Sequence, residues 1–275
     1  MQKILIISDI HLGTSRNSTT HAEVVRQANT QAEATLTALI PKFTELAPDL
    51  VVHMGDALRD TYDKTIDTKN LIKTLSLLQK IPTPTLHLLG NHELKAFSPK
   101  EIDSIYANTL KEEPTFFGTT TLGPHTILWL DLELDENDGA FLSTEKIQWL
   151  KEALQREKPT IILSHYSLIP IDSKGSFYFE NEPEGMYYKN AHIIRELFAN
   201  SSANLFLNAH VHLLTHQEIT GTHYISNPAF SENIAAENFS ENNPGIYSIL
   251  EINETAFTFT SYSGTFCFAK IQGSI

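Results

Sequence analysis

Five short aliphatic runs constrain this chain more than any other feature: "KILIIS" at 3–8, "LVVHMG" at 50–55, "TLHLLG" at 85–90, "TIILS" at 160–164 and "NLFLNA" at 204–209. Such runs, rich in Ile, Val and Leu and without alternation, belong to strands covered on both faces. Longer amphipathic stretches separate them, which is the pattern of βαβ units around a largely parallel sheet in an α/β fold. From His21 to Ala47, Val25, Ala28, Ala32, Leu36, Leu39, Phe43 and Leu46 fall at helical spacing, and Pro41 is expected to kink or break that helix. Residues 71–78 and 147–154 repeat the helical theme, the second behind an N-cap at Ser143 with Glu145 in the first turn. After residue 204 the chain turns β-rich. "HYISN", "GIYSILEI", "AFTFTSY" and "TFCFAKI" read as one antiparallel meander, with terminal strands over 245–272.

The residues just past each run matter more for chemistry. The first run delivers Asp9 and His11, the second Asp56, the third Asn91, His92 and Glu93, the fourth His165, and the fifth His210 and His212. In open α/β sheets the carboxyl ends of strands form the ligand-binding edge. One His-x-His pair at a strand end is readily satisfied by backbone carbonyls. Five strand ends all delivering Asp, Asn or His are better explained by metal ions. Asp9, His11, Asp56, Asn91, His165, His210 and His212 are more ligands than one catalytic ion takes, and they suit two ions sharing a carboxylate. Imidazole and carboxylate without thiolate favours Mn, Fe, Co or Zn over Mg or Ca. The remaining histidines divide by position. His53, His87 and His125 lie within strands and belong to the core, whereas His21, His192, His216 and His223 are expected at the surface.

Composition narrows the partners. Asp and Glu number 33 against 20 Lys and Arg, a formal net charge of −13, and no basic stripe appears. Long nucleic acid and anionic membranes are therefore poor partners. The single Cys267 cannot form an intramolecular disulfide, and no apolar segment approaches the length of a membrane span. The expected location is the cytoplasm.

In order along the chain, Asp9-x-His11, Gly55-Asp56, Gly90-Asn91-His92-Glu93, His165 and His210-x-His212 resemble the calcineurin-like metallophosphoesterases, over roughly the first 230 residues. "QWLKEAL" before the fourth motif and "SNPA" after the last are similar to family patterns. The resemblance implies a two-sheet mixed β-sandwich flanked by helices, with a dinuclear metal centre at the strand ends. It implies that Asp9, His11, Asp56 and His212 hold one ion and that Asn91, His165 and His210 complete the second, with Asp56 bridging. His92 would be the proton donor, with Glu93 as its orienting partner. The implied activity is hydrolysis of a phosphoester by in-line attack of a metal-bridging hydroxide, and His92 and Asp56 are the residues expected to carry it.

Three departures refine the expectation. Ala209 stands where the last motif usually has glycine, "GDALRD" carries Arg59 and Asp60 in the reverse of the protein-phosphatase order, and Leu94-Lys95 stands where an arginine is usual. These argue against a phosphoprotein phosphatase. The chain looks closer to the bacterial branch of cyclic-nucleotide and glycerophosphodiester phosphodiesterases, so a small phosphodiester is the expected substrate. Rival readings are a nuclease of the same superfamily and a non-catalytic protein that keeps the metal site for binding. Residues 1–275 read as a single domain. The segment 171–189, with Phe177, Tyr178, Phe179, Tyr187 and Tyr188 among four carboxylates, is either a cap over the site or an interface for homo-oligomerisation.

Overall fold

A computed structural model describes residues 1–13, 20–155, 158–174, 176, 178–199, 201–231 and 245–275, with side chains from residue 30 onward in the first helix. Phe177 and the side chain of His21, both singled out above, lie outside the described residues, as do the side chains of Val25 and Ala28.

Two six-stranded sheets face each other. The first is built on β1 (Gln2–Ile7), β2 (Leu50–His53) and β3 (Thr85–His87), which run parallel, and it is extended by β12 (Ile246–Ile252), β13 (Ala256–Ser263) and β14 (Phe266–Ser274) in the order β14-β13-β12-β1-β2-β3. The second has the order β10-β11-β9-β8-β5-β4, from β4 (Gly118–Leu122), β5 (His125–Trp129), β8 (Thr160–Leu163), β9 (Ala203–Asn208), β10 (Thr215–Ile219) and β11 (Thr222–Ser226). All five aliphatic runs are thus strands of these two sheets. A small hairpin of β6 (Glu133–Leu134) and β7 (Ala140–Phe141) stands apart.

The inner faces meet through Ile4, Ile6 and Val52 on one side and Ile161, Leu163, Leu205 and Leu207 on the other. Because each run is apolar at successive positions, its alternate side chains also bury an outer face. Leu5, Ile7 and Val51 pack outward under Leu36 and Phe43 of α1 (Thr20–Leu46) and Leu77 and Leu78 of α2 (Lys64–Leu78). Ile162 and Phe206 pack under Leu150 of α5 (Thr144–Ala153) and Ile194 of α6 (Ala191–Phe198). Two further helices, α3 (Asn91–Ala96) and α4 (Pro99–Leu110), lie beside α2. The result is the mixed two-sheet sandwich flanked by helices.

Several local expectations change. Pro41 does not break the first helix, which continues to Leu46, where its burial on the sheet outweighs one lost backbone donor. Ser143 occupies the N-cap of α5, but its hydroxyl makes no capping bond. "HYISN" does not join the terminal meander: β11 pairs antiparallel with β10 and parallel with β9, in the other sheet. His223, expected at the surface, is buried, its ring stacked on His216 with 3.0 Å between Nδ1 and the His216 Nε2. His53, His87 and His125 are buried as expected.

Candidate metal centre

The loops after β1, β2, β3, β8 and β9 meet at one edge of the sandwich, where the backbone conformation is unusual. Asp9, His11, Asp56, His210 and His212 all have left-handed φ, from 47° at His11 to 67° at His210. For residues with a Cβ each such conformation costs on the order of 1 kcal/mol, and such residues cluster at functional sites. The strain is held by bonds between loops: the amides of Asp9 and His11 donate to the carbonyls of Gly55 and Asp56 (3.0 Å each), and that of Ala209 donates to His165 O (2.9 Å). Across these left-handed turns the ligand atoms of Asp9 and His11 stay within 4.8 Å of each other, while His210 and His212 join different clusters. Ala209 does not share that conformation, so glycine's freedom is not required there. Gly55 and Gly90 do need to be glycine. A Cβ on Gly90 would lie 2.1 Å from Asp56 Oδ1, and one on Gly55 would lie 2.6 Å from the Gly90 amide nitrogen.

Three overlapping groups of ligand atoms result: Asp9, His11 and His212; His11, Asp56 and His92; and Asp56, His165 and His210. Asp56 joins two of them. Its Oδ2 lies 3.3 Å from His165 Nε2 and 3.6 Å from His11 Nε2, and its Oδ1 accepts the backbone amide of His92 at 2.9 Å. The Asn91 amide oxygen lies 3.3 Å from His165 Nε2. All seven side chains expected as ligands therefore converge.

The donor set fits divalent cations. His11 Nε2 and His212 Nε2 face each other at 3.2 Å, and Asp9 Oδ2 and His11 Nδ1 are buried without a hydrogen-bond partner. Ring orientations are fixed from behind. His165 Nδ1 donates to Met54 O (2.7 Å), which leaves Nε2 facing Asp56 and Asn91. His210 Nε2 donates to Gly185 O (3.0 Å), which leaves Nδ1 as its lone-pair atom, and the ring stacks on Tyr166 at 3.8 Å.

Electrostatics divide the site histidines. Burial lowers the pKa of His11 and His210 and keeps them neutral, the form that ligates. Burial opposes ionisation of Asp56, but the surrounding imidazoles, His165 foremost, hold its pKa well below the carboxylate range. Burial also disfavours the His165 cation, yet the adjacent Asp56 charge raises its pKa to about 9.

His92 is held by a residue that the sequence motifs do not assign to it. Its Nδ1 bonds Asp60 Oδ1, and because a carboxylate only accepts, Nδ1 is the protonated nitrogen and Nε2 turns toward Asp56 Oδ2 at 3.9 Å. The expected partner, Glu93, is instead buried beneath the loops. It accepts the amides of Asp56 (3.1 Å), Ala57 (2.5 Å) and Gly90 (2.9 Å), and burial together with Asp56 raises its pKa to about 7. The reversed order in "GDALRD" hid Asp60, and only its position in space reveals it.

A cleft of about 570 Å³ opens over the site, lined by Arg59 and Lys95 and by Tyr178, Phe179, Glu182, Glu184 and Lys189 of the 171–189 segment. Tyr178 sets its ring edge-on to His212 (centroids 5.5 Å apart), and Phe179 lies 5.2 Å from His210. Tyr188 is turned into the core, where its hydroxyl bonds Ser164 Oγ at 2.9 Å. Among the described residues no helix is long and apolar enough to cross a membrane.

Three solved structures of similar fold are distant in sequence. A dimetal phosphatase from Danio rerio superposes with a TM-score of 0.74 at 13% identity, covering 98% of each chain. The purple acid phosphatase PPD1 from yellow lupin seeds gives 0.61 at 16% identity, covering 99% of this chain and 53% of its own. TT1561 of Thermus thermophilus gives 0.53 at 16% identity, over 90% of this chain and 93% of its own. No curated protein matches the chain in sequence. The family profile does match, over residues 2–214, and the candidate ligands at the strand ends lie within that span: the chain belongs to the calcineurin-like phosphoesterase family.

Proposed function

We propose that the protein is a dinuclear-metal phosphoesterase acting on small phosphodiesters. The observation that carries this reading is the overlap of the three ligand groups at Asp56 and His11, beside a histidine aimed by a carboxylate. Asp9, His11, Asp56 and His212 would hold one ion, and Asp56, Asn91, His165 and His210 a second. The dimetal character of the Danio rerio phosphatase supports the pair by fold likeness. The oxygen and imidazole donors suit Mn, Fe, Co or Zn. Bound there, divalent ions supply an activated water and neutralise charge on the phosphoryl oxygens.

The chain's own groups do the rest. Glu93 and the two tight glycines fix the loops that carry Asp56 and Asn91. As the doubly protonated imidazolium, His92 gives its Nε2 proton to the departing oxygen, while Asp60 accepts the Nδ1 proton and keeps the ring oriented for that transfer. Arg59 offers the cleft a cationic group for a phosphoryl oxygen, while Lys95 and Lys189 are paired with Asp138 and Asp135, and Glu182 and Glu184 at the mouth repel a long polyanion and cost a singly charged diester little. A small diester fits this balance better than nucleic acid, and cyclic nucleotides and glycerophosphodiesters are substrates of that size.

The test is turnover of bis(p-nitrophenyl) phosphate against p-nitrophenyl phosphate by metal-loaded protein, with DNA and RNA as competitors. Preference for the diester without degradation of nucleic acid is expected. Efficient cleavage of single- or double-stranded nucleic acid would replace this reading with a nuclease.

A further inference from the structure

A second and larger chamber adjoins the metal cleft. It has a volume of about 870 Å³ and shares two wall residues with the cleft, Lys95 and Asp138, which pair across the boundary at 3.2 Å. Its wall combines charged residues with the apolar and aromatic side chains of Leu94, Phe97, Ile102, Phe116, Leu134 and Phe141. The sheet faces and helices of the core do not need this space, and the pockets that take small organic groups have this size and character.

Placement ties the chamber to the reaction. The short helix α3 carries Asn91 and His92 at its start and Leu94 and Lys95 one turn later. His92 and Lys95, three residues apart, both line the metal cleft, and Leu94 and Lys95 line the chamber. A group bonded to phosphorus on the His92 side is therefore directed along α3, past the Lys95–Asp138 pair, into the apolar space.

Charge selects what enters. The lining holds Asp103, Asp131, Glu133, Asp135 and Asp138 against Lys95 and Lys146. Lys146 is already engaged by Asp131 (2.8 Å) and Glu133 (3.4 Å), and Lys95 by Asp138, so among the described residues no free cation waits there for a second anionic group. Burying a carboxylate or a further phosphate among these acids would be unfavourable, whereas an uncharged chain or ring would gain its full transfer energy.

We propose that this chamber binds the organic half of the substrate and that this half is apolar and uncharged, which makes the substrate an amphiphilic phosphoester. The proposal rests on the phosphoesterase reading and narrows its substrate class. The experiment is calorimetric titration of manganese-loaded protein with methyl-, butyl- and octylphosphonate, which report binding whether or not any ester is turned over. Affinity should rise about three- to fourfold per methylene over the first several carbons. An octylphosphonate ending in a carboxylate should bind at least about tenfold more weakly than octylphosphonate. Filling the chamber with Leu134→Trp and Phe141→Trp, neither of which touches a metal ligand, should flatten the series while leaving methylphosphonate affinity unchanged. If phosphonates bind with no dependence on chain length, the chamber proposal is wrong and the phosphoesterase reading stands. If no phosphonate binds metal-loaded protein, the phosphoesterase reading falls with it. Should the filled variant not fold, the wild-type series and its carboxylate control decide alone.

Discussion

Asp60 accepts the Nδ1 proton of His92, and this one bond fixes which ring nitrogen faces the metal site. The carboxylate is held ionised largely by that histidine: burial would raise its pKa, and the bond to His92 lowers it below the ordinary value. Replacing Asp60 with Asn keeps the shape but removes the carboxylate charge that accepts the Nδ1 proton and supports the doubly protonated ring from which Nε2 donates. We expect Asp60→Asn to slow an alkyl phosphodiester by about 10²–10⁴-fold, as loss of general-acid function does, and a nitrophenyl ester far less, because that phenolate leaves unassisted. Metal content should not change. Equal losses on both esters would assign Asp60 to metal support instead.

Asp56 lies in two of the three ligand groups, whereas Asp9 lies in one. Metal analysis of protein purified without chelator should therefore approach about two ions per chain, Asp56→Ala should lose both, and Asp9→Ala should retain one. A single ion that survives Asp56→Ala would exclude the shared carboxylate.

Gly90 packs so tightly on Asp56 that a methyl group would have to displace the carboxylate. Gly90→Ala is expected to weaken metal binding by about 10–100-fold, in the range seen when groups supporting a ligand are lost. Destabilisation of the apoprotein should be about 1–3 kcal/mol. Isothermal titration with Mn²⁺ and thermal unfolding separate the two effects. Unaltered metal affinity would mean that the loops relax independently.

His87 gives a pH dependence outside the site. Burial lowers its pKa from the usual 6.5 to about 4, so between those values the unfolded chain takes up a proton that the folded chain refuses. Stability from this residue is full above pH 6.5, falls as pH drops toward 4 and levels off below, a loss of up to about 3 kcal/mol. His87→Leu should reduce the acid dependence of urea unfolding by that amount. It should also remove a buried, unpartnered Nδ1. Parallel pH profiles for the variant and the wild type would refute the assignment.

The sequence by itself determined the five aliphatic strands and the residue types at their ends, because both signals are local. Apolar runs mark strands covered on two faces, and the residues just after them must lie at the carboxyl edge. The convergence of Asp9, His11, Asp56, Asn91, His165, His210 and His212 results from that edge being shared. Only the tertiary structure decided the relationships between loops. Left-handed turns seat the candidate ligands, Asp60 reaches His92 from a different strand end, and Glu93 staples two loops instead of orienting its neighbour. Of the aromatics in 171–189, Tyr178 and Phe179 approach the site histidines while Tyr188 serves the core, a division no periodicity encodes. His223 is buried because β11 enters the second sheet, and a strand's sheet is chosen by long-range pairing. The second chamber is a further case: its walls come from α3, α4 and the β6–β7 hairpin, and no local pattern in these segments marks them as lining one cavity.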